Sequence, residues 1–251
     1  MASRYDSRTT IFSPAGRLFQ VEYAMEAISH TGSCIGVLSK DGIVLVAEKK
    51  VVGKLLDTTK PEKLLPIDSH IGAAVAGMTA DANVLVHAAR VASQRYLFSY
   101  QEPVPIEYLV RRVCDIKQSY TQFGGLRPYG VAFLYAGWDK RYGYQLYQSD
   151  PSGNYTGWHA TAIGANSSGA LSMLRSDYKE GCTLDEARTL AMNVLAKTVE
   201  AVALSSDKIE VAILSKPDPQ SDVEFKTLSR LEVDELIKPI LEEREARLRS
   251  L

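Results

Sequence analysis

The apolar period of this chain changes in blocks, and the order of those blocks restricts the architectures open to it. Two strand-like runs, Ser33–Ser39 and Ile43–Glu48, are joined by Lys40-Asp41-Gly42. Asp-Gly between β-branched runs signals a hairpin, because the tight turn needs residues that tolerate positive φ. Leu64–Ile67 and His70–Ala76 read as two more short strands. The period then lengthens. Thr79 is expected to cap a helix whose Leu85, Ala88, Ala89, Ala92 and Tyr96 form one stripe, and a second helix is expected over Ile106–Tyr120. Alternation returns in Val131–Trp138, Gly143–Gln148 and Trp158–Ile163. Two helices are expected next, over Ser167–Tyr178 and Thr183–Val202. The second opens on the capping box Thr183-Leu-Asp-Glu186. Late strands at Ile209–Leu214 and Val223–Thr227 precede a last helix, opened by Ser229-Arg-Leu-Glu232 and expected to kink or split at Pro239. Strands and helices segregated in this way predict an α+β fold with helices on the outer faces of packed antiparallel sheets.

Ahead of the first strand, Ser13-Pro14-Ala15-Gly16 has the residue pattern of a type I turn. Leu18, Val21, Met25 and Ile28 then recur at helical spacing, with Phe19 and Tyr23 on a neighbouring face. So much apolar surface on a short helix predicts that its stripe buries against a partner chain. The first ten residues are polar and mixed in charge, and are expected to be mobile unless a partner orders them.

Composition excludes more than it selects. Lys+Arg 29 against Asp+Glu 30 gives a net charge of −1, which argues against nucleic-acid or membrane-surface binding. Cys34, Cys114 and Cys182 lie far apart without metal-site spacing, as expected of buried thiols in a reducing compartment. The start has no apolar run resembling a signal peptide, and the longest apolar stretch, Ile71–Met78, is too short to span a bilayer. A soluble intracellular chain is expected, so the sequons at Asn154 and Asn166 read as chance matches. Phosphate-binding loops, dinucleotide fingerprints and the nucleophile-elbow motif are all absent. His30, His70, His87 and His159 are isolated, and no pair of carboxylates sits in an apolar setting. Lys49, Lys50, Lys54, Lys60 and Lys63 form a local basic bias, read mainly as a solvated hairpin rim. A lysine beside a cleft could still grip a carboxylate.

The run from Tyr5-Asp6-Ser7-Arg8 through Ser13-Pro14-Ala15-Gly16-Arg17 to Val21-Glu22-Tyr23-Ala24 resembles the N-terminal signature of proteasome alpha subunits. The likeness continues through Arg127-Pro128-Tyr129-Gly130-Val131 and Thr161-Ala-Ile-Gly164, and the segments Gln118–Gly125 and Gly143–Tyr155 resemble one alpha type of a eukaryotic 20S particle. Ala15, where the family often has an acidic residue, and Pro239 are minor departures. The resemblance implies the four-layer αββα sandwich of N-terminal-nucleophile hydrolases with an extra N-terminal helix. It implies one domain over residues 13–251, with that helix at about 18–29 and a charged C-terminal helix at about 230–250, preceded by a mobile gate segment, residues 1–12.

Fold alone does not confer activity. Laying the Gly32–Glu48 hairpin on the catalytic beta relatives puts Gly32 at the nucleophile position, Glu48 at that of an Asp and Lys63 on that of a Lys. Thr31 is one place too early and follows His30. An active threonine peptidase is therefore disfavoured, and a stand-alone binding module fits poorly with the apolar N-terminal helix. The resemblance implies a non-catalytic ring subunit without metal or cofactor, acting in ubiquitin-dependent protein breakdown in cytoplasm and nucleus. Its implied partners are the other alpha subunits of a seven-membered hetero-oligomeric ring, beta subunits, and regulatory caps such as the 19S particle. It implies a gating cluster of Tyr5, Asp6, Pro14 and Tyr23, and capture of an activator's C-terminal carboxylate by Lys63. Nucleic acid and membrane are not expected partners.

Overall fold

Most strands carry apolar residues on both faces, because each of two sheets is covered on both sides. The computed structural model describes residues 9–49, 55, 60–199, 204–218 and 221–249, with side chains through residue 242. Helix α1 (Phe19–Ser29) leads into β1 (Cys34–Leu38), β2 (Gly42–Glu48), β3 (Leu64–Asp68) and β4 (Ile71–Gly77). Helices α2 (Thr79–Tyr100) and α3 (Ile106–Gln122) follow, then β5 (Val131–Asp139), β6 (Gly143–Ser149), β7 (Tyr155–Trp158) and β8 (Ala160–Ile163). Helices α4 (Ser167–Asp177) and α5 (Leu184–Thr198), strands β9 (Ile209–Ser215) and β10 (Glu224–Thr227), and helix α6 (Arg230–Arg249) complete the order.

One sheet runs β10-β9-β2-β1-β8 and the other β3-β4-β5-β6-β7, with every pairing antiparallel. Alternate residues sort the core into three layers. Val44, Val46 and Val211 pack outward against Ala187, Ala191 and Leu195 of α5. Ala73, Val75 and Phe133 meet Leu85 of α2 and Leu109 and Val113 of α3. Between the sheets lie Ile43, Leu45, Ala74, Ala132, Leu134, Ala212 and Leu214. The result is the expected αββα sandwich. Among the described residues no helix is long and apolar enough to cross a membrane.

Both capping boxes form: Thr183 and Glu186 bond each other reciprocally, as do Ser229 and Glu232. The Ser13–Gly16 turn closes with Gly16 N–H on Ser13 O at 2.8 Å.

Four expectations need correction. Trp158–Ile163 is two strands rather than one: Trp158 pairs with Leu146 in one sheet, Ile163 with Cys34 in the other, and the chain changes sheets at His159. Periodicity reports which residues alternate but not which partner strand receives them. Thr79 does not cap α2, because the capping position falls on Met78, which has no side-chain acceptor. Pro239 does not split α6. Val233 and Ile237 are buried before it, and Ile240 packs on the same cluster after it, so tertiary contacts hold the turn that lost a hydrogen bond. The N-terminal stripe is spent largely on this chain's own fold: α1 packs over β4 and β5 with Val21 and Ile28 buried, while Met25 and Tyr23 stay exposed. The expected end of α5 at Val202 lies outside the described residues.

Candidate functional site

Four element ends converge at one end of the sandwich: the start of β1, the end of β2, the start of β3 and the start of α2. The β1–β2 register sets Cys34 opposite Ala47, which brings Gly32 alongside Glu48. Glu48 N–H donates to Ser33 O at 2.8 Å, and its carboxylate accepts Ser33 N–H at 3.1 Å. Lys63, just before β3, donates through Nζ to Gly32 O at 2.5 Å and Glu48 O at 3.1 Å. Residues 32, 48 and 63, placed together by resemblance, are together in space.

The nucleophile is missing, and no room is left for one. A Cβ at Gly32 would stand 2.5 Å from Glu48 O and 3.0 Å from Lys63 Nζ. Thr31 cannot substitute, since its nitrogen is an internal amide bonded to Ile28 O at 3.0 Å and its hydroxyl donates to the same carbonyl at 2.7 Å. A threonine nucleophile needs a base beside a reachable hydroxyl. The nearby Cys34 thiol is fully buried and donates to Val75 O at 3.3 Å, and burial raises its pKa, so it stays an inert thiol.

Beside these groups opens a cavity of about 250 Å³, lined by His30, Thr31, Gly32, Glu48, Glu62, Lys63, Val75, Gly77, Thr79 and Ala82. Beside the Glu48 and Glu62 side chains that also line it, two features favour an anion. Lys63 rests on neutral carbonyls rather than on a carboxylate, so its charge is not neutralised by an ion pair among the described residues. The first turn of α2, which has no side-chain cap, supplies Thr79 and Ala82 to the same lining. A helix of 22 residues starting there adds its positive dipole end.

Residues without a motif of their own hold this arrangement. Glu210 on β9 is buried, and its carboxylate accepts the amides of Glu62, Lys63 and Leu64 while pairing with Lys49. The one signal in the sequence was a charge inside the apolar run Ile209-Glu210-Val211. Asp81 accepts both Arg127 nitrogens, at 2.7 and 2.8 Å, and Gly130 N–H at 2.9 Å, tying the Arg127–Gly130 loop to α2. The Arg127 hydrogen bonds hold its carboxyl below the ordinary carboxylate range.

Of the expected gating cluster, Pro14 sits exposed in the Ser13–Gly16 turn and Tyr23 is half exposed on α1, its ring stacked on Phe19 at 6.2 Å. Neither lines the Lys63 cavity. Tyr5 and Asp6 lie outside the described residues. His70 is buried with Nε2 2.9 Å from Val104 O, His30 faces Glu26 at 3.3 Å, and no metal-holding cluster occurs among the described residues.

Two family models match the chain. The proteasome subunit model covers residues 28–214, and the model for the N-terminal signature of A-type proteasome subunits covers residues 5–27. The alpha type-4 proteasome subunit of Spinacia oleracea is 63% identical over 84% of this chain and 85% of its own length. Type-4-A of Arabidopsis thaliana is 62% identical over 84% and 85%, and type-4-1 of Oryza sativa subsp. indica 58% over 91% and 92%. These likenesses run through the same strands that bring a glycine, rather than a threonine, up to Lys63. The chain belongs to the proteasome subunit family, as a non-catalytic alpha-type component of the 20S core that assembles with other subunits.

Proposed function

We propose that this protein serves its particle as a docking and gating element, with Lys63 receiving the C-terminal carboxylate of a regulatory cap's tail. The observation that carries this reading is an ammonium that donates to two carbonyls and, among the described residues, forms no ion pair, at the wall of a cavity that also holds the start of α2. Such a lysine keeps its full attraction for an incoming carboxylate, and a charge-assisted hydrogen bond stabilises by about 1.5–3 kcal/mol. A neighbouring alpha subunit closes the open side of the cavity in a seven-membered hetero-oligomeric ring, with beta subunits below and caps such as the 19S particle above. Residues 1–12 act as a gate over the channel, hinged at the Pro14 turn, with Tyr5, Asp6, Pro14 and Tyr23 exchanging contacts between neighbouring tails in the open state. The particle works in ubiquitin-dependent degradation in cytoplasm and nucleus.

Lys63→Ala in the assembled core tests the docking role. The affinity of a synthetic cap-tail peptide should fall about 10- to 100-fold, and amidating the peptide's C-terminus should cost wild type the same factor and the variant nothing. An unchanged affinity for the free-acid peptide would defeat the reading.

A further inference from the structure

Glu210 is 5% exposed, and its side chain points to the inner face of the sandwich that it shares with Ala212 and Leu214. One carboxylate oxygen accepts Glu62 N–H at 2.7 Å and lies 3.2 Å from Lys49 Nζ; the other accepts Lys63 N–H at 3.1 Å and Leu64 N–H at 3.0 Å. Three consecutive amides converge on one anion. On the other side of the strand, Lys63 C=O accepts Val75 N–H at 3.0 Å. The Lys63 backbone is therefore held through both its polar groups.

The charges are partitioned as well as the geometry. A buried carboxylate attracts any ammonium in reach, and an unneutralised one so close to Lys63 would compete for its charge. Lys49, itself about 5% exposed at the side chain, supplies the counter-charge instead. The Lys63 ammonium is left to two carbonyls.

We propose that Glu210, neutralised by Lys49, is a positioning residue that fixes the Lys63 main chain so that the ammonium is presented to the cavity free of a carboxylate partner. This rests on the reading of Lys63 as the carboxylate anchor. Glu210→Gln keeps the volume but turns an amide donor toward main-chain groups that are themselves donors, so at least one of the three amides loses its acceptor.

The test uses the assembled core particle, with amine acylation read at Lys63 by peptide mass spectrometry alongside binding of the free-acid cap-tail peptide. In Glu210→Gln, Lys63 should acylate about fivefold faster and peptide affinity should fall about tenfold. Lys117, fully buried elsewhere, should stay unmodified and the native mass unchanged, which separates repositioning from general loosening. Unchanged acylation of Lys63 in an intact particle would overturn the positioning role. Faster acylation with unchanged peptide affinity would keep that role and remove Lys63 as the anchor. Should Glu210→Gln not assemble, Glu210→Asp, which withdraws the charge by one methylene, is read in the same way, and a wild-type acylation rate there would overturn the proposal.

Discussion

Lys63 Nζ donates to the carbonyl of Gly32 at 2.5 Å, at the residue that the family resemblance sets in the nucleophile position. The lysine that would activate a nucleophile instead ties together the beginning of β1 and the end of β2. A side chain at Gly32 would meet Glu48 O and Lys63 Nζ, so main chain and lysine fill the space a nucleophile there would need.

Restoring the hydroxyl should therefore restore nothing. Gly32→Thr would press a Cβ against Glu48 O, a main-chain atom that has little freedom to move. A loss of about 1–3 kcal/mol in the thermal unfolding of the chain is expected. Fluorogenic peptides should remain uncut by alpha rings lacking beta subunits. Cleavage that a threonine-directed inhibitor blocks would show that the site can still open.

Val21 and Met25 separate two roles of α1. Val21 is 5% exposed within the single chain, and Met25 is 38% exposed. Val21→Asp buries an unpaired charge and should destabilise the isolated chain by about 3–5 kcal/mol. Met25→Asp should change that stability by about 0.5 kcal/mol or less and instead reduce incorporation into 20S particles. Equal unfolding midpoints for the two variants would contradict this division.

Lys117 makes the unfolding equilibrium depend on alkaline pH. It is fully buried and donates to Val131 O at 3.1 Å and Ser149 Oγ at 2.9 Å, with Nζ 4.8 Å from the Phe133 ring centroid. Cys114, Tyr135 and Asp150 are the other titratable groups around it. Burial lowers its pKa from 10.5 to about 8, against the smaller opposing pull of Cys114 and Asp150. Below pH 8 both folded and unfolded chains hold this proton, and the penalty of burying the charge is present in full. Between about 8 and 10.5 the unfolded chain binds more protons, so this group's contribution to stability rises with pH, by ~3 kcal/mol across the window. Urea unfolding from pH 7 to 10 should show this rise in wild type relative to Lys117→Met. Parallel pH profiles for the two proteins would refute it.

Deleting residues 2–10 should raise basal peptide hydrolysis by the latent core particle several-fold without altering its assembly. The proposed gating role asks for hydrogen bonds of about 1 kcal/mol each between tails, small enough for a cap to tip. A deletion particle as latent as wild type would show that this tail does not control the gate.

The sequence by itself determined most of the elements and their order. The Asp41-Gly42 turn, the two capping boxes and the apolar periods are local signals, each decided by residues within a few positions, and each appears where its pattern stands. Through the family resemblance it also placed a glycine, with no side chain to act as nucleophile, at position 32. Tertiary structure decided the rest, because those outcomes depend on groups distant in the chain. The break at His159 arises because two different sheets claim its neighbours. Val21 is buried because β4 and β5 pass beneath it, and α6 runs on through Pro239 because the flanking turns pack on the sheet. The Lys63 site depends on Glu210, more than a hundred residues away. A charge in an apolar strand signals by its burial that it has partners, but only the fold brings the amides of Glu62, Lys63 and Leu64 within its reach.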